Sequence, residues 1–581
     1  MKNWNQVNLN LIAKSIGELC YEQILTAKKL SDNRYELSLQ SGAVYYFSAW
    51  MGIWDHLRVE AATINKEGAD SVSAGQFFID AKSELAMTDI VLGNFLEEMN
   101  NSLYADMHLL EKQKETKARE MVLWDGEKIQ SYLSGHPKIL LSKGRVGWGA
   151  PELERFAPES ENSFELFWVA VRKDFLICSF DDQVNDLSLL KESLDSFDLE
   201  QFHLNLDKKN LKFDDFHFLP VHPWQWSRFI KIQFQSAIHE GKIVELGSFG
   251  DEYLPQISIR TLRNSSRPER LDIKLPLTIL NTSAIRGIPS KYINIGTKLS
   301  RHILSICKED SLLNHLNTDV LLEKAGMSVR HPEFSQVELA PYRYNELLGA
   351  IWRESASSKL NADETAIMTG CLFYQDPENN SLIGAIIEKS KLSKAEWLKS
   401  YFEYVFIPLY HLQLKYGLGL VAHGQNIILK MKNFVPCGVI LKDFQGDLRL
   451  SSNSILNERE DFKEIAQKLD KLPAHYLIHD LMTGHLVTVL RFVSEVMHES
   501  DHFSELDFYK ILADVIENYN KDHVVPDELN FLNKSIPRVL VNKVRFKIGY
   551  GDSSERPTPM VGSDLISPLY LGKKHGEELN G

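Results

Sequence analysis

At 581 residues, 44% hydrophobic and 25% charged, the chain has the make-up of an ordinary globular protein large enough for two or three cores. A net charge of −14 argues against a nucleic-acid partner, and no stretch approaches eighteen apolar residues, so no membrane span is expected. Cys20, Cys178, Cys307, Cys371 and Cys437 are scattered without a CxxC pair, which argues against a disulfide framework or structural zinc and points to reduced core thiols.

Behind Lys2 there is no uninterrupted apolar segment, so no signal peptide is expected and the chain reads as cytoplasmic. Val7, Leu11, Ile12, Ile16 and Leu19 recur at helical spacing and predict an amphipathic helix over residues 7–25. NRYELSLQSGAVYYFSAW then alternates apolar and polar residues around Ser41-Gly42, a hairpin pattern. Residues 81–120 read as long helices ending in the solvated run EKQKETKARE, with a boundary near residue 125. The middle third mixes strands (ELFWVAVRK, FLICSF, LDIKLPLTIL) with helices such as LSRHILSICKE, and turns fall at RNSSRP and RGIPS. From about residue 380 the chain is mainly helical, with strands at 417–448 set between the helices. The last ten residues read as mobile. The class is α+β.

Four clusters could carry chemistry. GHPKILLSKGRVGW places His136, Lys143 and Arg145 among glycines, a loop type through which backbone and cations approach phosphate, although it matches no nucleotide fingerprint. LPVHPWQW reads as structural aromatic core. Residues 255–290 hold Arg260, Arg263, Arg267, Arg270, Lys274 and Arg286 against Glu269 and Asp272, a basic island in an acidic chain. In SIRT, Ser258 and Arg260 share one face of an extended segment beside Thr261, and Thr282, Ser283 and Arg286 occupy the turn after Lys274. If the two segments pair, Arg260, Lys274 and Arg286 share a groove suited to a small polyanion, and a set of surface salt bridges is the plainer alternative.

In the fourth cluster, His423, Gln425 and Asn426 sit at a turn between apolar runs, and Asp443-Phe444 ends the next one. Asn and Asp at the ends of adjacent strands are a hard-oxygen pair suited to Mg²⁺ on a nucleotide, as in protein kinases. The kinase reading requires an Asp base two positions after the His, where Gln425 stands and cannot accept the proton.

Taken in order, GHP…K-x-R-x-G, HPWQ, S-x-R-T, K-L…T-S-x-x-R and H-x-Q-N…D-F resemble the IucA/IucC-type siderophore synthetases, which work without a peptide assembly line. The resemblance spans about residues 130–550. It implies a cupped three-part fold with mixed antiparallel sheets: a thumb over residues 1–125, fingers over 126–380 and a mainly helical palm over 381–581. It implies ATP and Mg²⁺ as cofactors, a citrate-like polycarboxylate and an amine or amino alcohol as substrates, and a homodimer. The implied reaction adenylates the acid with loss of pyrophosphate, and the amine or hydroxyl then displaces AMP. By resemblance, Ser258, Arg260, Thr261 and Lys274 hold the nucleotide. Arg286 and His423 grip the reacting carboxylate and α-phosphate, Thr282 and Gln425 touch the acid, and Asp443, beside Asn426, ligates Mg²⁺. Two positions depart from the family pattern: Ile139-Leu140 replaces a second His-Pro, and Val421 stands where relatives commonly carry Glu. The rivals are a kinase-like phosphotransferase and a non-enzymatic citrate- or siderophore-binding protein.

Overall fold

The computed structural model describes residues 2–282, 284–548 and 560–580. Its opening helix, Lys2–Tyr21, buries Leu11, Ile12, Ile16 and Leu19 against a small antiparallel sheet that contains the expected hairpin, Arg34–Ser38 with Val44–Met51. The 25-residue helix Asp89–Gln113, capped by the Thr88 hydroxyl, closes this unit.

The centre is an eight-stranded antiparallel sheet. Its order is Ile177–Phe180, Glu323–Val329, Leu348–Arg353, Asp272–Lys274, Thr261–Asn264, Ile243–Pro255, Phe164–Arg172 and Phe216–Val221. The expected single strand LDIKLPLTIL is two strands. Pro276 has no N–H for a ladder, and the chain leaves the large sheet there, so that Leu277–Asn281 pairs instead with Ala284–Arg286. A second sheet takes Thr318–Val320, Val435–Leu441, Ile427–Lys432 and Glu364–Met368, drawing strands from both sides of residue 380. Only Leu321 and Leu322 separate the Thr318–Val320 strand of this sheet from Glu323–Val329 of the large one, so the two sheets meet end to end. The candidate site lies at that junction.

The HPWQW segment is structural, as its composition suggests. His222 is buried among Trp148, Phe156 and Phe164, and its Nδ1 accepts a hydrogen bond from the Trp224 N–H (3.2 Å). Gln225 braces the strand that leads to Arg286, bonding Thr278 through both its amide groups and the Leu347 carbonyl. Burial lowers the His222 pKa to about 3. The unfolded chain therefore binds a proton below pH 6.5 that the folded chain refuses, and stability from this residue falls as pH falls through that window. His222→Phe should gain on the wild type by about 2 kcal/mol in unfolding free energy between pH 7 and pH 5. A difference that stays constant with pH in paired urea titrations would show that His222 is not held neutral.

The C-terminal end departs from expectation. Residues Pro568–Asn580 form a helix that buries Leu569 and pairs Lys573 with Glu517 and His575 with Asp507 on the Glu505–Lys521 helix. The Gly- and charge-rich composition concealed that apolar face. Residues 549–559 of the tail lie outside the described residues.

Candidate active site

Three of the six cations in the basic island are structural. Arg263 pairs with Asp125, Arg267 with Asp251 and Arg270 with Glu192. Of the other three, Arg260 reaches the carbonyl beside Arg286, and Lys274 reaches Asp443. SIRT is a tight turn rather than an extended segment: Ile259, buried, sits at φ 60°, and its N–H donates to the Gln256 carbonyl (2.7 Å). A β-branched residue in the left-handed region is strained and needs its surroundings to hold it there. The turn places the Ser258 hydroxyl under the Thr261 N–H (3.0 Å) and directs the Arg260 guanidinium to the Gly287 carbonyl, next to Arg286. Thr261 pairs directly with Lys274 across the ladder. Arg286 Nε and the Thr282 hydroxyl both donate to the Asn281 carbonyl (3.0 and 2.8 Å), so these two residues share one turn. Ser283, expected in the same turn, lies outside the described residues.

From the facing sheet, Asp443 follows Val435–Leu441 at φ 62°. Its Oδ1 accepts from Lys274 Nζ (2.9 Å) and from Arg353 Nη1 (2.8 Å). Burial would raise the Asp443 pKa, but Arg353, Lys274 and Lys442 outweigh it and hold the carboxyl well below its usual range. Arg353 was not legible in the sequence, where it ends an apolar strand without a motif. It lies between Asp272 and Glu323 in the ladder and also reaches Asp272 (3.4 Å). Burial lifts Glu323 to about 6, offset by Lys274 and Gln445.

His423, Gly424 and Gln425 form the expected turn, between strands Leu418–Leu420 and Ile427–Lys432. His423 Nδ1 accepts from the Gln425 N–H (3.3 Å), which leaves the proton on Nε2. Burial lowers its pKa against the pull of Asp447 and Asp443. The backbone is clamped on both sides of the histidine. Buried His485 donates Nδ1–H to the Ala422 carbonyl (3.1 Å) and accepts at Nε2 from Tyr401 (3.0 Å), and Gly370 N–H donates to the Gly424 carbonyl (3.0 Å). Gly484, in the wide-turn helix Met482–Leu490, lies so close that a Cβ there would stand 2.7 Å from the Ala422 nitrogen. Asn426 donates to the Val421 carbonyl (3.2 Å) and Asp447 (3.3 Å), keeping its own oxygen available.

The GHP loop divides in two. Lys143 pairs with Asp106 (2.7 Å) and Arg145 makes a bidentate pair with Glu159 (2.8 and 2.9 Å). His136 instead faces His423. Burial above all, with His423 and Lys14 nearby acting in the same direction, lowers its pKa to about 3, and its Nδ1 accepts the N–H groups of Lys138 and Ile139 (3.2 and 3.0 Å). The site thus holds two neutral imidazoles, each with an Nε2–H to offer, beside a cluster of guanidinium and ammonium groups.

Among the described residues no group of three His, Cys, Asp or Glu side chains is arranged to hold a metal by itself, and no helix is long and apolar enough to cross a membrane. Residues 127–374 match the IucA / IucC family, and residues 395–552 match the ferric iron reductase FhuF-like transporter family. The chain is 39% identical over 574 residues to an aerobactin synthase of Escherichia coli, covering 98% of each. A solved aerobactin synthetase IucC from Klebsiella pneumoniae superposes with a TM-score of 0.88 at 38% identity, covering 98% of this chain and 99% of that one. ATP-bound aerobactin synthetase IucA from the same organism shares the fold, with a TM-score of 0.77 at 18% identity over 96% of this chain and 99% of that one. With a relative this similar along nearly the whole length, the chain belongs to the IucA/IucC family and is a ligase of siderophore biosynthesis.

Proposed function

We propose that this ligase uses ATP to adenylate a citrate-like polycarboxylate and then condenses the acyl-adenylate with an amine or amino alcohol, acting in the cytoplasm as a homodimer with thumb, fingers and palm at 1–125, 126–380 and 381–581. The observation that carries the reading is the grip of Lys274 and Arg353, from the large sheet, on Asp443, which ends a strand of the other, with Thr261 paired to Lys274 and Arg260 reaching the Gly287 carbonyl beside Arg286. Such a junction suits two anionic reactants at once, and ATP-bound IucA supports the choice of nucleotide.

In the first step a carboxylate oxygen forms a bond to the α-phosphorus, and the bond to the bridging oxygen breaks, releasing pyrophosphate with the electron pair. Two anions must approach each other, so fixed donors at the α-phosphate lower the barrier most. Arg286 supplies permanent charge and His423 a hydrogen bond from Nε2 that does not depend on protonation. Ser258, Arg260, Thr261 and Lys274 hold the nucleotide, and Thr282 and Gln425 orient the acid. In the second step the amine nitrogen attacks the acyl carbon, AMP leaves with its electron pair, and the nitrogen loses a proton. Mg²⁺, when bound, neutralises phosphate charge. Asp443 and Asn426 would hold it, because Asp443 Oδ2 and Asn426 Oδ1 take no hydrogen bond among the described residues.

The several cations favour an acid with several carboxylates. Trapping the adenylate with hydroxylamine should give more product from citrate than from α-ketoglutarate or succinate. Equal or greater turnover of α-ketoglutarate would overturn the citrate assignment and leave the adenylation chemistry standing.

A further inference from the structure

We propose that Glu323 and Gln445 complete, with Asp443, the oxygen cage for a divalent cation on the nucleotide phosphates, an inference that rests on the nucleotide reading above. Sequence gave no reason to connect these residues, since Glu323 lies 120 positions before Asp443. The junction of the two sheets brings them together. Glu323 opens its strand at a register shift opposite Arg353, the residue whose guanidinium grips Asp443. Its backbone N–H is held by the Ser300 hydroxyl (3.0 Å), which fixes where the side chain leaves the strand. Asp443, in the left-handed region, turns the chain so that Gln445, two residues on, meets Glu323.

The unpaired atoms indicate a missing partner. Gln445 Nε2 donates to Glu323 Oε2, and that bond fixes the orientation of the amide. Gln445 Oε1 is consequently turned away, buried, and without any donor. Glu323 makes no other side-chain hydrogen bond among the described residues, so its second oxygen is open, as is Asp443 Oδ2. An orphaned buried acceptor calls for an explanation, and a bound cation is one of the few on offer. Glu323 lies against the same amide and Asp443 stands two residues before it, a negative setting that favours a cation over a neutral donor. The ammonium of Lys274 already acts on both Asp443 and Glu323, so the place is built for positive charge. Three oxygen donors with phosphates filling the remaining positions match Mg²⁺, which keeps few protein ligands. Gly296 makes the approach possible: a side chain there would collide with Glu323 Oε2 and Gln445 Nε2.

The test is Mn²⁺ affinity, read by electron paramagnetic resonance, for the full chain with an ATP analogue that cannot be cleaved between its α- and β-phosphates. Glu323→Gln should weaken Mn²⁺ binding at least as much as loss of an outer-sphere partner does, roughly 10- to 100-fold. Gln445→Leu should weaken it by a smaller factor, and Asp443→Asn should weaken it as well. Wild-type affinity in both Glu323→Gln and Gln445→Leu, with Asp443→Asn impaired, overturns the inference and leaves the nucleotide reading intact. Wild-type affinity in all three removes Asp443 from the metal as well. Binding of the metal-free analogue reports whether each variant still forms its site, and should Glu323→Gln fail to fold, Gln445→Leu decides alone.

Discussion

Arg286→Ala and His423→Ala should each lose citrate-dependent pyrophosphate release by about 100- to 1000-fold, the usual cost of removing one donor aimed at developing charge. Both variants should remain folded, because Arg286 and His423 are half-buried at turns and neither fills a core. The loss should fall on the adenylation half. Amide formation from chemically supplied citryl-adenylate should survive far better, since the nucleophile is then a neutral amine. His423 is held neutral by burial, so the wild-type rate should show no fall as pH rises through 6.5. If adenylation persists in either variant and only amide formation fails, that residue serves the second step and its role is misassigned.

The second large effect belongs to Asp443. Lys274 and Arg353 both spend hydrogen bonds on its Oδ1, with side chains 18% and 5% exposed. Asp443→Asn leaves two poorly hydrated cations facing a neutral amide, and breaking a buried pair in this way costs about 3–5 kcal/mol. The folded carboxyl lies below its unfolded value, so this stability is fully present above about pH 4 and is lost only as pH falls through the depressed folded pKa. Assays near neutrality therefore see the whole effect. Activity should nearly vanish at temperatures where the variant is still folded, because an amide is a poorer Mg²⁺ ligand than a carboxylate. Wild-type turnover would make Asp443 a purely structural counter-ion.

The sequence exposed parts of this site whose chemistry is local. His423, Gln425 and Asn426 were readable as a turn because apolar runs flank them, and the segments that carry Arg260 and Lys274 as able to pair in one sheet, which they do through Thr261 and Lys274. It misled where one backbone angle decided. Ile257 and Ile259 alternate with polar neighbours like a strand, yet Ile259 adopts a left-handed conformation and the segment turns. The same limit applied to LDIKLPLTIL, where Pro276 ends one ladder and the next strand joins another sheet. It was silent where the partners are far apart. Arg353 and Glu323 each sit at the end of an apolar strand, and a charged residue in that setting is the one signal available, because buried charges are seldom left unpaired. Lys143 and Arg145 show the reverse case. Their glycine-rich setting suggested phosphate, but Asp106 and Glu159, brought in by neighbouring helical segments, had already claimed them.

The central claim is that the two sheets meet to let a carboxylate attack ATP at its α-phosphorus. The most direct measurement is citrate-dependent exchange of labelled pyrophosphate into ATP in the absence of any amine. The account predicts exchange that requires citrate and a divalent cation, is lost in Arg286→Ala, and is accompanied by AMP once amine is added. Formation of ADP without exchange would contradict it and return the site to phosphoryl transfer.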